Sequence, residues 1–230
     1  MLFREEDEYY GPLPFEDRAE AGRLLAKRLS KYAGCDDVVV LGLPRGGVRV
    51  AFEVAQALRL PLDVCVVRKL GVPWDRELAM GAIASGGVQV LDLSAVEDLC
   101  VSKAAIQEVV ADELEELQRR ERLYRGGRPP LEIRGKTVIL VDDGIATGSN
   151  ILAAIAAARH QGASHVVVAI PVAPAAACSS IRMEADEVVS VAEPYMLLAV
   201  SQWYDDFSET TDDEVCALLQ EAGQPMPRAA

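Results

Sequence analysis

Two adjacent carboxylates, Asp142 and Asp143, follow four apolar residues, Val138 to Val141, and lead into the small, hydroxyl-bearing stretch Gly144-Ile145-Ala146-Thr147-Gly148-Ser149. A turn of that composition opening a helix converges backbone N–H groups and the positive end of the helix dipole, and the Thr147 and Ser149 hydroxyls add donors. Such a nest suits a phosphate monoester. The two carboxylates would repel that phosphate, so they face other parts of the same ligand: sugar hydroxyls, which donate hydrogen bonds, or Mg²⁺, directly or through its waters. A phosphate and a diol on one ligand describe a ribose phosphate. No Gly-Lys-Ser/Thr follows the glycines, which excludes a Walker-type loop.

The elements around this stretch carry the signature of a parallel sheet. Asp17 to Tyr32 places Ala21, Leu24, Leu25, Leu29 and Tyr32 at helical spacing, closed by Gly34. Val38 to Leu43 is a continuous apolar run that ends in Pro44-Arg45-Gly46-Gly47, and Val48 to Leu58 follows as a helix. Leu62 to Val67 predicts a second strand ending at Arg68-Lys69; the stretch 69–80 is neither helical nor clearly extended and is expected to be a mobile loop. Around Ser85-Gly86-Gly87, 82–84 and 88–91 alternate as a short hairpin. Ile106, Val110, Leu114 and Leu117 mark a long helix over 102–124, with Glu115/Arg119 and Glu116/Arg120 paired on its wet side. A strand over 137–141, a helix to Gly162, a strand over 166–172, a helix over 174–183, a strand over 187–191 and a last helix over 212–221 complete the pattern. Fully apolar strands alternating with helices predict a doubly wound α/β fold with a mainly parallel sheet covered on both faces. Ligands of such sheets bind at the carboxyl ends of the strands. Three loops share that address: 44–47, 68 onward and 142–149.

Charge and composition narrow the function classes. A formal net charge of -13, from 23 basic and 36 acidic residues, disfavours a nucleic-acid binder, which needs concentrated Lys and Arg. The acidic start MLFREEDEYY is unlike a signal peptide, and the longest apolar run, near 166–178, carries two prolines and is short of a membrane span. A cytoplasmic small-molecule enzyme is expected. Five scattered cysteines without C-x-x-C spacing read as reduced, packed thiols.

The stretch VILVDDGIATGSN resembles the phosphoribosyl pyrophosphate (PRPP) binding motif of type I phosphoribosyltransferases. FEDRAEAGRLLAKRL, VVVLGLPRGGVRVAFEVAQAL, LDVCVVRKLGVPWDRELAMGAI and WYDDF extend the likeness over nearly the whole chain, to a bacterial subfamily of predicted phosphoribosyltransferases. The resemblance implies that fold with a small hood and the long helix as an insertion. One domain over 1–230 is expected, with a core at about 17–192, a hood from 1–16 and 193–222, and a disordered tail at 223–230. It implies Mg²⁺-dependent transfer of the 5-phosphoribosyl group from PRPP to a nitrogenous acceptor, with release of pyrophosphate. Asp142 and Asp143 would hold the ribose hydroxyls and the metal. Gly144, Ile145, Ala146, Thr147, Gly148 and Ser149 would take the 5-phosphate. Arg45, Gly46 and Gly47, in a turn that often contains a cis non-proline peptide, would take the pyrophosphate with Arg68, while Lys69 begins a closing loop.

Asp143 is in addition a candidate general base, with Arg68 and Lys69 as its catalytic companions. Trp203 and Tyr204 could stack a flat acceptor or, as aromatics more often do, pack the hood. A PRPP- or nucleotide-binding regulator without transferase activity is the alternative. A homo-oligomer is allowed, with the long helix as a candidate interface.

Overall fold

The structure, a computed structural model, describes residues 14–223. The hood residues up to 13 and the tail from 224 lie outside the described residues.

Five strands, β1 (Val38–Gly42), β2 (Leu62–Val64), β6 (Thr137–Val141), β7 (His165–Val172) and β8 (Glu187–Ala192), form a parallel sheet in the order β2-β1-β6-β7-β8. Three more, β3 (Val67–Val72), β4 (Asp75–Ala84) and β5 (Val88–Leu91), form an antiparallel sheet in that order. The helices are α1 (Arg18–Arg28), α2 (Gly46–Leu58), α3 (Leu93–Asp98), α4 (Lys103–Arg125), α5 (Ser149–His160), α6 (Ala175–Ile181) and α7 (Asp212–Ala222). Among the described residues no helix is long and apolar enough to cross a membrane.

The alternation of strand side chains splits the core into two layers. Val38, Val40, Ile139, Val141 and Val167 join α1, α2, α4 and α7 on one face. Val39, Leu41, Val138, Leu140, Val166, Val168 and Ile170 join α5 and α6 on the other. This double coverage explains why the strands read as unbroken apolar runs. The expected helix over 17–32 is shorter: Asp17 caps α1 by accepting from the Glu20 amide, and after Arg28 the chain tightens into a 3₁₀ turn at Ser30–Tyr32.

The expected mobile loop over 69–80 is instead a β-hairpin. The strand expected over 62–67 is two strands in different sheets, and β3 pairs with β4 through bulges at Leu70/Gly71 and Gly71/Val72. One hairpin face buries Leu70, Val72, Met80 and Ile83 in the cluster that contains α4, and the other lays Ala82 and Ala84 on Ala153 and Ala157 of α5. The bulges and the glycines at 71 and 81 break the period-two pattern, so pairing decided by those tertiary faces is invisible locally. On α4 the carboxylate of Glu116 takes both Arg119 and Arg120, whereas Glu115 was the expected partner of Arg119. Val110, Leu117 and Tyr124 bury its apolar stripe inside this chain.

Candidate functional site

β1 and β6 run side by side with Gly42 opposite Val141, so the turns leaving both strands meet at one edge of the sheet. The Leu43 amide donates to the Val141 carbonyl at 2.8 Å, which ties the two turns together, and the Pro44–Arg45 peptide is cis. Gly46 and Gly47 open α2 directly beneath the acidic pair. A Cβ on Gly47 would stand 2.8 Å from both the Asp142 Cα and the Val141 carbonyl oxygen, and one on Gly46 would stand 1.9 Å from Asp143 Oδ2. A side chain at either glycine would collide with the acidic pair, so the backbone of the turn packs directly against the carboxylates.

The two carboxylates differ in their surroundings. Asp143 Oδ2 accepts from Arg18 Nε at 2.8 Å, and its carbonyl accepts from the Tyr204 hydroxyl at 2.5 Å. Asp142 Oδ1 accepts from the Asp143 amide at 2.9 Å. Burial, and then the neighbouring Asp143 charge, push the Asp142 carboxyl well above the usual carboxylate range. Burial first and Asp143 second also push the Tyr204 hydroxyl upward, which keeps it a neutral donor.

A cleft of about 410 Å³ opens beside the pair. Asp142, the 144–151 stretch and Val200 form one side of it, and Lys69 with Ala79, Gly81 and Ala82 of the hairpin the other. Gly148 has a left-handed backbone (φ 88°) and starts α5 without a side-chain cap, so the uncapped helix start and the exposed Thr147 and Ser149 line this opening. Ala146 is exposed on the same loop, and Gly144 packs so closely on Val200 that a Cβ there would lie 2.3 Å from Val200 Cγ1. Ile145 differs: its amide donates to the Val172 carbonyl at 3.0 Å and its side chain is buried with α5 and α6, so it anchors the loop.

The structure thus brings together Asp142, Gly144 to Ser149, Gly46, Gly47 and Lys69, and sets Arg68 apart. Neighbours on a strand point to opposite faces. Lys69, opposite Ala82, borders the cleft, while Arg68, opposite Ile83, turns to α4 and binds the Glu113 carboxylate at 2.7 Å. Arg68 borders a second cleft of about 390 Å³ between the hairpin and α4, which Lys69 also reaches. Arg45, at the start of α2, pairs with Glu209. Trp203 and Tyr204 are buried with Phe15, Ala21, Val172 and Ala192, and Phe15 pairs with the tail through a parallel bridge to Tyr204.

Arg18 is the site residue that sequence reasoning missed. Its side chain is 9% exposed, and its partners Asp143 and Ser208 lie 125 and 190 residues away, so no local pattern marks it.

Two adjacent carboxylates with oxygen donors only, one of them without a basic partner at hydrogen-bond distance among the described residues, fit a hard cation such as Mg²⁺, which keeps several of its own waters. No cluster of three or more His, Cys, Asp or Glu side chains suited to a metal occurs among the described residues, so most of the ion's coordination would come from ligand and water.

The sequence profile of the phosphoribosyl transferase domain matches residues 16–194. A protein of Mycobacterium tuberculosis H37Rv, named provisionally as a phosphoribosyl transferase, is 49% identical over 215 residues, which cover 94% of this chain and 48% of that protein. The chain therefore spans about half the length of the curated relatives it matches. The crystal structure of TT1426 from Thermus thermophilus superposes with a TM-score of 0.80 at 42% identity, covering 92% of this chain and 100% of TT1426.

Proposed function

Because the chain belongs to the phosphoribosyl transferase domain family, we propose that it transfers the 5-phosphoribosyl group of PRPP to a nitrogenous acceptor in a Mg²⁺-dependent reaction, releasing pyrophosphate in the cytoplasm. The observation that supports this most is the direct packing of the acidic pair on the Gly46-Gly47 turn, beside an uncapped helix start. In this reading the acidic pair serves the diol and the metal, the 144–149 loop the 5-phosphate, and the glycine turn the pyrophosphate of one ligand.

In this mechanism the α5 amides with Thr147 and Ser149 hold the 5-phosphate, and Asp142 accepts from the ribose hydroxyls. The Gly46 and Gly47 amides with Arg45 hold the pyrophosphate, and Lys69 approaches across the cleft. The bond from C1 to the pyrophosphate oxygen breaks with its electron pair leaving on pyrophosphate, a bond from C1 to the acceptor nitrogen forms, and the nitrogen's proton passes to the departing pyrophosphate or to solvent. Positive charge develops on the ribose, and carboxylates fixed beside it stabilise that state. Mg²⁺, when bound, would neutralise the leaving pyrophosphate. The hairpin wall shields the reacting carbon from water.

The test is pyrophosphate release from PRPP with a panel of purines, pyrimidines and other nitrogen acceptors, with and without Mg²⁺. Release that requires both metal and one acceptor class supports transfer. A second reading, a PRPP-binding regulator, is favoured by one feature: Arg68 and Arg45 are already engaged by Glu113 and Glu209. It requires tight PRPP binding with no pyrophosphate release from any acceptor.

A further inference from the structure

The acidic pair is held by something neither motif contains. Arg18 is a buried cation at the start of α1, and a buried guanidinium is costly unless its donors are matched. Here Nε donates to Asp143 Oδ2 at 2.8 Å, Nη1 donates to the Ser208 carbonyl at 2.7 Å, and the guanidinium carbon lies 3.8 Å from the centre of the Phe207 ring. The same C-terminal stretch reaches Asp143 a second time, through the Tyr204 hydroxyl on its carbonyl. Asp143 is therefore gripped at its carboxylate and at its backbone by residues from opposite ends of the chain. Asp142, by contrast, lines the cleft.

We propose that Arg18 is a positioning residue for the acidic pair: backed by the 204–208 stretch, it fixes the Asp143 carboxylate over Gly46 and leaves Asp142 as the carboxylate turned to the ligand. This role rests on the phosphoribosyl transfer proposed above for its consequence, though not for its geometry. It assigns the aromatic tail a task as well. Phe207 and Tyr204 stand behind the guanidinium and the Asp143 carbonyl, so the tail holds the site from outside instead of offering a stacking platform.

The experiment compares PRPP affinity with Mg²⁺ for the wild type, Arg18→Met, Arg18→Lys, Asp143→Asn and the double variant Arg18→Met/Asp143→Asn, with amide hydrogen exchange on the same proteins. Loss of a residue that orients a metal-site carboxylate weakens binding by about tenfold or more. Arg18→Met is expected to show that loss and Arg18→Lys to recover part of it. The double variant is expected to bind no worse than the weaker single variant, because both changes remove one interaction. Folded Arg18→Met with affinity within about twofold of wild type, or two losses that multiply in the double variant, overturns the proposal.

Should Arg18→Met not fold, Phe207→Leu removes the ring behind the guanidinium and is expected to weaken binding several-fold; unchanged affinity there counts against the proposal. If the wild type itself does not bind PRPP, the transfer reading fails by that result alone. Exchange then decides the positioning role: faster exchange at both 142–149 and 204–208 in Arg18→Met supports it, and loosening confined to 204–208 overturns it.

Discussion

Replacing Gly47 by alanine separates the cost of packing from the cost to the site. The added Cβ would sit 2.8 Å from the Asp142 Cα and from the Val141 carbonyl oxygen, both of which are backbone and cannot rotate away. Ordinary contact begins near 3.5 Å, so the end of β6 and the start of α2 must part by about 0.7 Å. Overpacking of this kind costs about 1–3 kcal/mol, offset by about 0.5–1 kcal/mol because alanine favours the helical backbone of α2. The balance, a loss of up to about 2.5 kcal/mol, lowers Tm by up to about 10 °C in a chain of this length. The same displacement moves the acidic pair off the amides that share its ligand, and misplacement approaching 1 Å costs on the order of tenfold to a hundredfold.

Calorimetric melting and PRPP titration of Gly47→Ala are run beside Gly126→Ala. Gly126 lies at the C-terminal end of α4 with φ 56° and nothing within 4 Å of its would-be Cβ. An alanine there is strained by about 1 kcal/mol or more but touches no site residue. The expected pattern is a lowered Tm in both variants and weakened PRPP binding in Gly47→Ala alone. Gly47→Ala with wild-type affinity and melting would refute the close packing of turn on acids.

Other outcomes follow from the same geometry. Asp142→Asn with Asp143→Asn is expected to abolish Mg²⁺-dependent PRPP binding while circular dichroism keeps the native signature; retained affinity would remove the diol and metal assignment. Leu117, 1% exposed in the cluster with the hairpin, should cost about 2–5 kcal/mol as alanine, seen as a fall in denaturation midpoint. A near-neutral result would return α4 to the role of an interface. Cys65 is buried, with its thiol pushed up to about 12, and Cys178 is buried, with its thiol pushed up to about 11, chiefly by desolvation, whereas Cys100 is exposed. Alkylation of the native protein at pH 8 should therefore label Cys100 first, and early labelling of Cys65 would contradict its placement. Trp203→Ala, which empties a buried position beside Phe15 and Ala192, is expected to lower Tm by several degrees with little change in acceptor choice, read by pyrophosphate release across the panel.

Thr137–Val141 is legible in the sequence because an apolar run between Lys136 and Asp142 has only one comfortable home, a strand covered on both faces. The phosphate loop is legible for a related reason: small residues and hydroxyls after an acidic pair are locally sufficient to specify a turn that opens a helix. The hairpin is not, because Leu70, Val72, Met80 and Ile83 acquire a common face only through bulges and the apposition of α4. Arg68 and Lys69 look equivalent as neighbours in a basic pair. Strand alternation sends one to Glu113 and the other to the cleft, a distinction available only once 67–72 is known to be extended. Arg18 belongs to the same class of signal, since its meaning depends on residues brought from positions 143, 207 and 208.

The central claim, that one ligand bridges the acidic pair, the 144–149 loop and the Gly46-Gly47 turn, is tested most directly by calorimetric titration with PRPP, with and without Mg²⁺, against ribose 5-phosphate and pyrophosphate separately. Metal-dependent PRPP binding that is tighter than that of either fragment is the predicted result. Absence of PRPP binding in the presence of Mg²⁺ would contradict it.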